Sequence, residues 1–491
     1  MNPVVILVPV LLPILAGVLM LLCPIENVRR RNIFVEAVTL ANTAVTLWIL
    51  THAPQGTLYL FSLGEKLPMT LRIDGMATFF GCIVSCLWPL ASLYAFEYMR
   101  HEERVNTFMA FYTITYGVTL GVAFAGNIVT MYLFYEMLTM VTLPLVMHTM
   151  TPQAKKATRD YLYYMIGGTA FAFIGMVFYV IYSTDLEFVY GGAIDLSRVG
   201  QYTDVLYLIY VLSFFGFGVK AAVFPFHSWL PEASVAPTPV TALLHAVAVV
   251  KSGVFAIMRF TYYCIGPEIL SGSWAQTVVL IFVMATIVHA STMGVREAHF
   301  KRRLAYSTVS NLSYVLLGVV MMSPLGLFAG LAHMLFHAIM KISGFFCVGA
   351  VMHQTEKNYV YELDGLGRRM PLTFTALLIS GLSLSGLPLF AGFVSKWEIA
   401  RSLFTNGSAL ASWGVIVLIY SALMTAIYML TVIVRGFFPS REVDMAELKA
   451  YRDPNWQMIL PLAVFSVVTV LFGVWATPVL EKLWTVAQGL F

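Results

Sequence analysis

Along this chain, apolar runs of a length suited to membrane helices alternate with short polar breaks, and the runs show none of the two-residue alternation of membrane strands. Reading runs against breaks predicts fourteen helical spans, roughly at 3–23, 33–51, 76–97, 108–124, 127–147, 161–183, 205–224, 239–260, 276–294, 304–321, 325–352, 371–403, 411–436 and 456–479. The expected fold is an all-α polytopic membrane protein with about 14 transmembrane helices. The run after Asn2 lacks a basic leading segment and a small-residue cleavage pattern, so it reads as a first span, not a signal peptide. The longest polar linker, 184–204, is too short to hold a soluble domain.

Composition sharpens this picture. Hydrophobic residues make up 59% of the 491 positions and charged ones 11%, a balance that suits lipid rather than water as solvent. The five cysteines lie in or beside apolar runs without a CxxC pair and read as small hydrophobes. No Walker loop, dinucleotide fingerprint or iron–sulfur cysteine cluster is present, so no cofactor or metal is expected and any nucleotide or electron chemistry would belong to partners. The net charge of +4 is spread over loops and does not point to nucleic acid. Of the 29 Lys and Arg residues, nineteen fall in loops after odd-numbered spans and six on the other side. The positive-inside rule then puts the odd loops in the cytoplasm and both termini outside. Four remain, Lys220, Lys251, Lys341 and Lys396, each inside an apolar segment.

A lysine at the bilayer centre costs about 3 kcal/mol on insertion scales, so such groups face a protein interior or a hydrated cavity and are usually functional. Desolvation disfavours an ammonium ion, which suits a group that must take up and release protons. Glu136 is the acid deep within span 5, and a Glu136–Lys220 pair of variable strength is a natural switch; a static buried ion pair that fixes packing is the alternative. In span 11, His333, His337 and Lys341 recur every four residues on one helix face, a spacing that suits a proton relay. The alternatives are satisfied core histidines or zinc, although no acid follows the first His as a metalloprotease motif requires. Span 8 holds His245 and Lys251, whose spacing of six places them on different but not opposite faces of one helix.

Proline and glycine add the breaks. Lys220 precedes Pro225, Pro231, Pro237 and Pro239; Gly381, Gly386 and Pro388 precede Lys396. Such residues interrupt helices, and unwound backbone at membrane depth is tolerated only where protein buries it or it lines a cavity. Broken helices 7 and 12, each with a lysine beside the break, predict two inverted five-helix repeats: spans 4–8 (108–260) and 9–13 (276–436), after an N-terminal unit (1–107) and before span 14 with its tail (456–491). The competing explanation is that both residues are simply frequent in membrane helices.

Several stretches together are specific: Tyr135-Glu136, Lys220 with Pro225-Phe226-His227-Ser228-Trp229-Leu230-Pro231, Ala236-Pro237-Thr238-Pro239-Val240, Lys301-Arg302-Arg303-Leu304-Ala305-Tyr306-Ser307-Thr308, and the span 11 ladder. From about span 3 to span 13 the chain resembles the antiporter-like subunits shared by Mrp-type cation/proton antiporters, respiratory complex I and membrane-bound hydrogenases. The resemblance implies a fourteen-helix fold with a hydrated polar axis near mid-membrane. It also implies Glu136 and Lys220 as a modulating pair, Lys251 with His245 as central relay, and His333, His337, Lys341 and Lys396 leading to the far side. Complex I subunits of type M usually have Glu where this chain has Lys396, so the chain is more similar to the D-type subunits of Mrp antiporters and their hydrogenase relatives. It also lacks the long lateral helix of the L type after span 14, and it has His299-Phe300 where an Asp often precedes the Lys-Arg pair.

The function these features imply is proton translocation in a multi-subunit cation/proton antiporter or redox-driven ion pump of a prokaryotic cytoplasmic (inner) membrane. The implied partners are other membrane subunits of an Mrp-like, hydrogenase or complex I-like assembly, protons, sodium as a candidate coupling ion, and the lipid bilayer. A complex I type M/N subunit, a non-conducting scaffold and a self-sufficient transporter of an organic substrate are the competing readings.

Overall fold

The computed structural model describes residues 2–52, 56–64, 67–440 and 446–490; Lys66 and Arg441, two of the loop cations counted above, lie outside the described residues. The chain begins with α1 (Leu7–Leu22) and α2 (Val28–Thr51), followed by a small antiparallel hairpin of β1 (Leu58–Ser62) and β2 (Pro68–Leu71) that the apolar pattern did not announce. Then come α3 (Gly75–Tyr98), α4 (Val105–Phe124), α5 (Ile128–Val146), α6 (Pro152–Tyr182) and α7 (Thr203–Lys220). The next predicted span is split into α8 (Thr238–Ala246) and α9 (Val249–Arg259). The second half comprises α10 (Trp274–Arg296), α11 (Phe300–Val319), α12 (Pro324–Thr355), α13 (Pro371–Ser385), α14 (Ala391–Asn406), α15 (Ala409–Phe437), α16 (Trp456–Val474) and α17 (Thr477–Ala487).

The architecture is all-α and polytopic. Twelve helical stretches among the described residues are long and apolar enough to cross a membrane. The predicted spans at 304–321 and 371–403 correspond to α11 and to α13 with α14, which fall outside that measure. α11 opens on Lys301-Arg302-Arg303 and carries a polar face, while α13 and α14 are each too short alone.

Polar caps set where many helices start. Asn27, Asp74, Asn127, Thr151, Ser273, Ser323 and Ser408 each accept a backbone N–H from the first turn of the helix that follows, satisfying donors that lipid cannot. Close packing then uses small residues: α1 lies so near α4 that a Cβ on Gly117 would stand 2.9 Å from Ile14. α12 runs through the middle, buried along nearly its whole length between α8, α11, α13, α14 and α16.

The helix interruptions matter most for the interior. α7 stops at Lys220, and the chain continues in turns through Pro225 to a single helical turn at Trp229–Glu232. Pro237 sits at the cap before α8. α13 ends at Gly386, whose φ of 85° is left-handed and suits glycine, and Pro388 lies in the gap before α14. His245 and Lys251, expected on one continuous helix, lie on two separate ones. The helix breaks between them at Val247 and Ala248, whose N–H groups both turn to the carbonyl of Leu243.

Candidate functional site

The four interior lysines are all buried, and none of the ion pairs among the described residues includes one. Each instead meets neutral groups. Lys220, at the end of α7, donates to the carbonyl of Tyr135 and stands 3.3 Å from the centre of the Tyr135 ring, a cation–π contact. Glu136, the next residue on α5, turns the other way and accepts from Thr169 of α6 at 2.7 Å. Glu136 and Lys220 therefore bond to different partners, Thr169 and Tyr135, and form no ion pair with each other.

The ladder on α12 is engaged at its middle rung. Lys251 Nζ of α9 lies 2.5 Å from His337 Nδ1. His337 and His333 follow one another along the helix with ring centres 6.0 Å apart. His333 then meets Ser395 Oγ of α14 at 2.8 Å and Asn311 Oδ1 of α11 at 3.3 Å. Lys396, beside Ser395, donates to the carbonyl of Leu384 at 2.6 Å, an oxygen exposed by the unwinding of α13, and its Nζ lies 5.1 Å from the Tyr314 ring centre. Gly386 makes room for this lysine: a Cβ there would stand 2.9 Å from Lys396 Cδ.

Lys341 and His245 stand beside the row and make no hydrogen bond to Lys251 or Lys396. Both pack on Phe345, at 5.7 Å and 4.9 Å from its ring centre. Lys341 Nζ and both ring nitrogens of His245 are buried without a hydrogen-bond partner in the protein, as is His337 Nε2. Buried polar atoms of this kind are normally paired with protein or ordered water.

Three groups that touch this row carry no signal of their own in the sequence: Asn311, Tyr314 and Ser395. Neutral polar residues in apolar runs are too common to signal a site. A fifth interior cation was misplaced: Arg259, counted with the outer surface, is fully buried at the end of α9. It makes a bidentate pair with Asp74 at 2.6 Å and 2.7 Å, with Phe188, Phe255 and Tyr263 around its guanidinium. Its signal was Asp74 itself, but 185 residues separate the two in sequence.

The chemistry available is therefore proton handling by amines and imidazoles in a low-dielectric interior, with no carboxylate in contact with any lysine of the row. Two hydrogen-bonded pairs, Lys251–His337 and His333–Ser395, with the two histidine rings stacked between them, lie between the broken span of α8 and α9 and the broken span of α13 and α14.

Comparison with known proteins bears on this geometry. Residues 125–427 match the family model described as NADH:quinone oxidoreductase/Mrp antiporter, transmembrane. Among curated proteins, the chain is similar to the A/B subunit of a probable K(+)/H(+) antiporter of Rhizobium meliloti, at 28% identity over 474 residues, covering 95% of this chain and 46% of the relative. It is also similar to the A-type subunit of the Na(+)/H(+) antiporter of Alkalihalophilus pseudofirmus, at 29% identity over 428 residues, covering 82% and 52%. The chain thus spans about half the length of these curated relatives. Among solved structures, a chain of the Mrp complex from Dietzia sp. superposes with a TM-score of 0.84 at 21% identity, covering 100% of this chain and 98% of the other. A chain of an archaeal membrane-bound sulfane sulfur reductase gives 0.83 at 22%, covering 99% and 97%.

Proposed function

The chain belongs to the NADH:quinone oxidoreductase/Mrp antiporter transmembrane family, and from that premise we propose that it carries protons through the membrane within a multi-subunit cation/proton antiporter or redox-driven pump. The observation that carries this reading is the 2.5 Å contact between Lys251 and His337, two buried bases with no acid beside them. A proton taken up at Lys251 passes to His337, on to His333, and through Ser395 to the Lys396 end, while Lys341 and His245 hold a reserve of unpaired nitrogens beside the junction. Lys220, with Glu136 acting on it from a distance, sets how readily a proton arrives from the α5–α7 side. α4 to α9 and α10 to α15 are the two inverted halves of this device. The protein lies in a prokaryotic cytoplasmic membrane with the basic loops inside and both termini outside, surrounded by lipid and by other membrane subunits. The relatives' names offer potassium or sodium as the coupled ion, and Lys396 favours a D-type over an M-type place in such an assembly.

Reconstituting the intact complex with Lys251→Ala is the direct test. The expected outcome is loss of pH-gradient formation by about 100-fold or more, as for removal of a general acid–base group, with normal assembly on a native gel. Undiminished proton movement per assembled complex would falsify the proposal and leave a scaffold.

A further inference from the structure

Beyond Lys396, a set of buried hydroxyls touches the row described above only through the Tyr314 ring. α11 and α15 face each other with Ser307, Ser310 and Tyr314 on one and Ser421, Thr425 and Tyr428 on the other, all buried and all at helical spacing. Tyr314 Oη donates to Ser421 Oγ at 2.5 Å, and Ser421 also meets Ser291 of α10. Tyr428 Oη donates to Thr425 Oγ1 at 3.1 Å, with Ser307 and Ser310 beside it.

The two ends of this set are chemically distinct. At one, the Tyr314 ring lies 5.1 Å from Lys396 Nζ and 5.4 Å from the His333 ring. At the other, Arg303 donates to the carbonyl of Tyr428 at 3.2 Å and to that of Glu297 at 2.8 Å, where the chain reaches the basic loop between α10 and α11. One or two hydroxyl bonds would fix the register of two helices. Six buried hydroxyls on two facing helices, two pairs of them bonded to each other, exceed that need, and each one is both a donor and an acceptor.

Resting on the proton-carrying reading above, we propose that this hydroxyl row is a second proton path, joining the Lys396–His333 centre to the membrane face that carries Glu297 and Arg303. Each oxygen accepts a proton on a lone pair and releases its own proton to the next oxygen, so every hydroxyl ends neutral and the net change is one proton moved along the row. Thr425 now donates to the carbonyl of Ser421 at 2.8 Å. The step from Ser421 to Thr425, one helical turn apart, needs a side-chain rotation or a bridging water to carry the proton between the two oxygens.

The test uses the full complex in proteoliposomes with Ser421→Ala, Thr425→Val and Tyr428→Phe, which remove hydroxyls and keep most of the volume. The expected result is a fall of about ten-fold in proton flux per assembled complex for Ser421→Ala and Tyr428→Phe, a changed solvent isotope effect, and recovery in Ser421→Thr. Wild-type flux with only a lowered melting temperature overturns the path and leaves an interhelical hydroxyl seam. Lys251→Ala in the same assay separates the two readings. If it too leaves flux intact, the proton-carrying reading fails; if it abolishes flux while the hydroxyl variants do not, only the second path fails.

Discussion

At the scale of single residues, what separates the interior cations is the company each keeps. Arg259 is matched by a carboxylate in a bidentate pair, and Arg72 adds a second cation 3.5 Å from Asp74. Burial alone would raise the Asp74 carboxyl, but Arg259 and then Arg72 hold it below its ordinary value. A carboxyl depressed on folding contributes stability that is fully present above the unfolded value near pH 4 and is lost as pH falls through the folded one. Asp74→Asn is therefore expected to lower stability by about 3–5 kcal/mol at neutral pH, because Arg259 stays buried unpaired. It should also flatten the acid limb of a melting-temperature series below about pH 4. A variant that melts with the wild type across that series would show the pair to be incidental. The four lysines lack any such acid, and that is why their energetic cost made them legible from sequence alone. Asn311, Ser395 and Tyr314 were not legible, since a neutral polar group in a membrane helix costs little and marks no particular depth.

At the scale of elements, interruptions carry more information than helices. The breaks after Lys220 and before Lys396 could be read because Pro225, Gly386 and Pro388 have backbone chemistry that opposes a helix. The break at Val247–Ala248 could not, because neither residue opposes helix formation strongly and only packing against α12 and its neighbours imposes the turn. The hairpin of β1 and β2 was missed for a related reason: its strands are short and sit in a connection, where no periodicity has room to show. Gly386→Ala probes an interruption directly. Its left-handed φ costs an alanine roughly 1–2 kcal/mol, and the added Cβ presses on Lys396. A lowered melting temperature together with reduced flux per complex is expected; a change in stability alone would show that Lys396 tolerates displacement.

At the scale of the whole molecule, the distribution of charge predicts topology. Single cysteines placed at Arg29 and at Gln488 in a cysteine-free background should react with a membrane-impermeant thiol reagent from opposite sides, Gln488 from outside intact cells and Arg29 only after permeabilisation. Labelling of both from the same side would reverse or break the assignment. Hydropathy sufficed for the class of fold, because lipid leaves a chain so few options. It did not place the row, since Lys251 reaches His337 across 86 positions and the ladder's order along the sequence is not its order in contact.

The meeting of Lys251 and His337 has a consequence for counting. Two nitrogens 2.5 Å apart leave room for one hydrogen between them, so one of the pair must present a lone pair whenever the other presents N–H. On the proposed proton-carrying reading, the junction is then a turnstile with a single occupant: the first passenger must clear it before a second can enter. On that reading, protons would cross this point one at a time, and faster driving would raise the frequency of passage without changing its size.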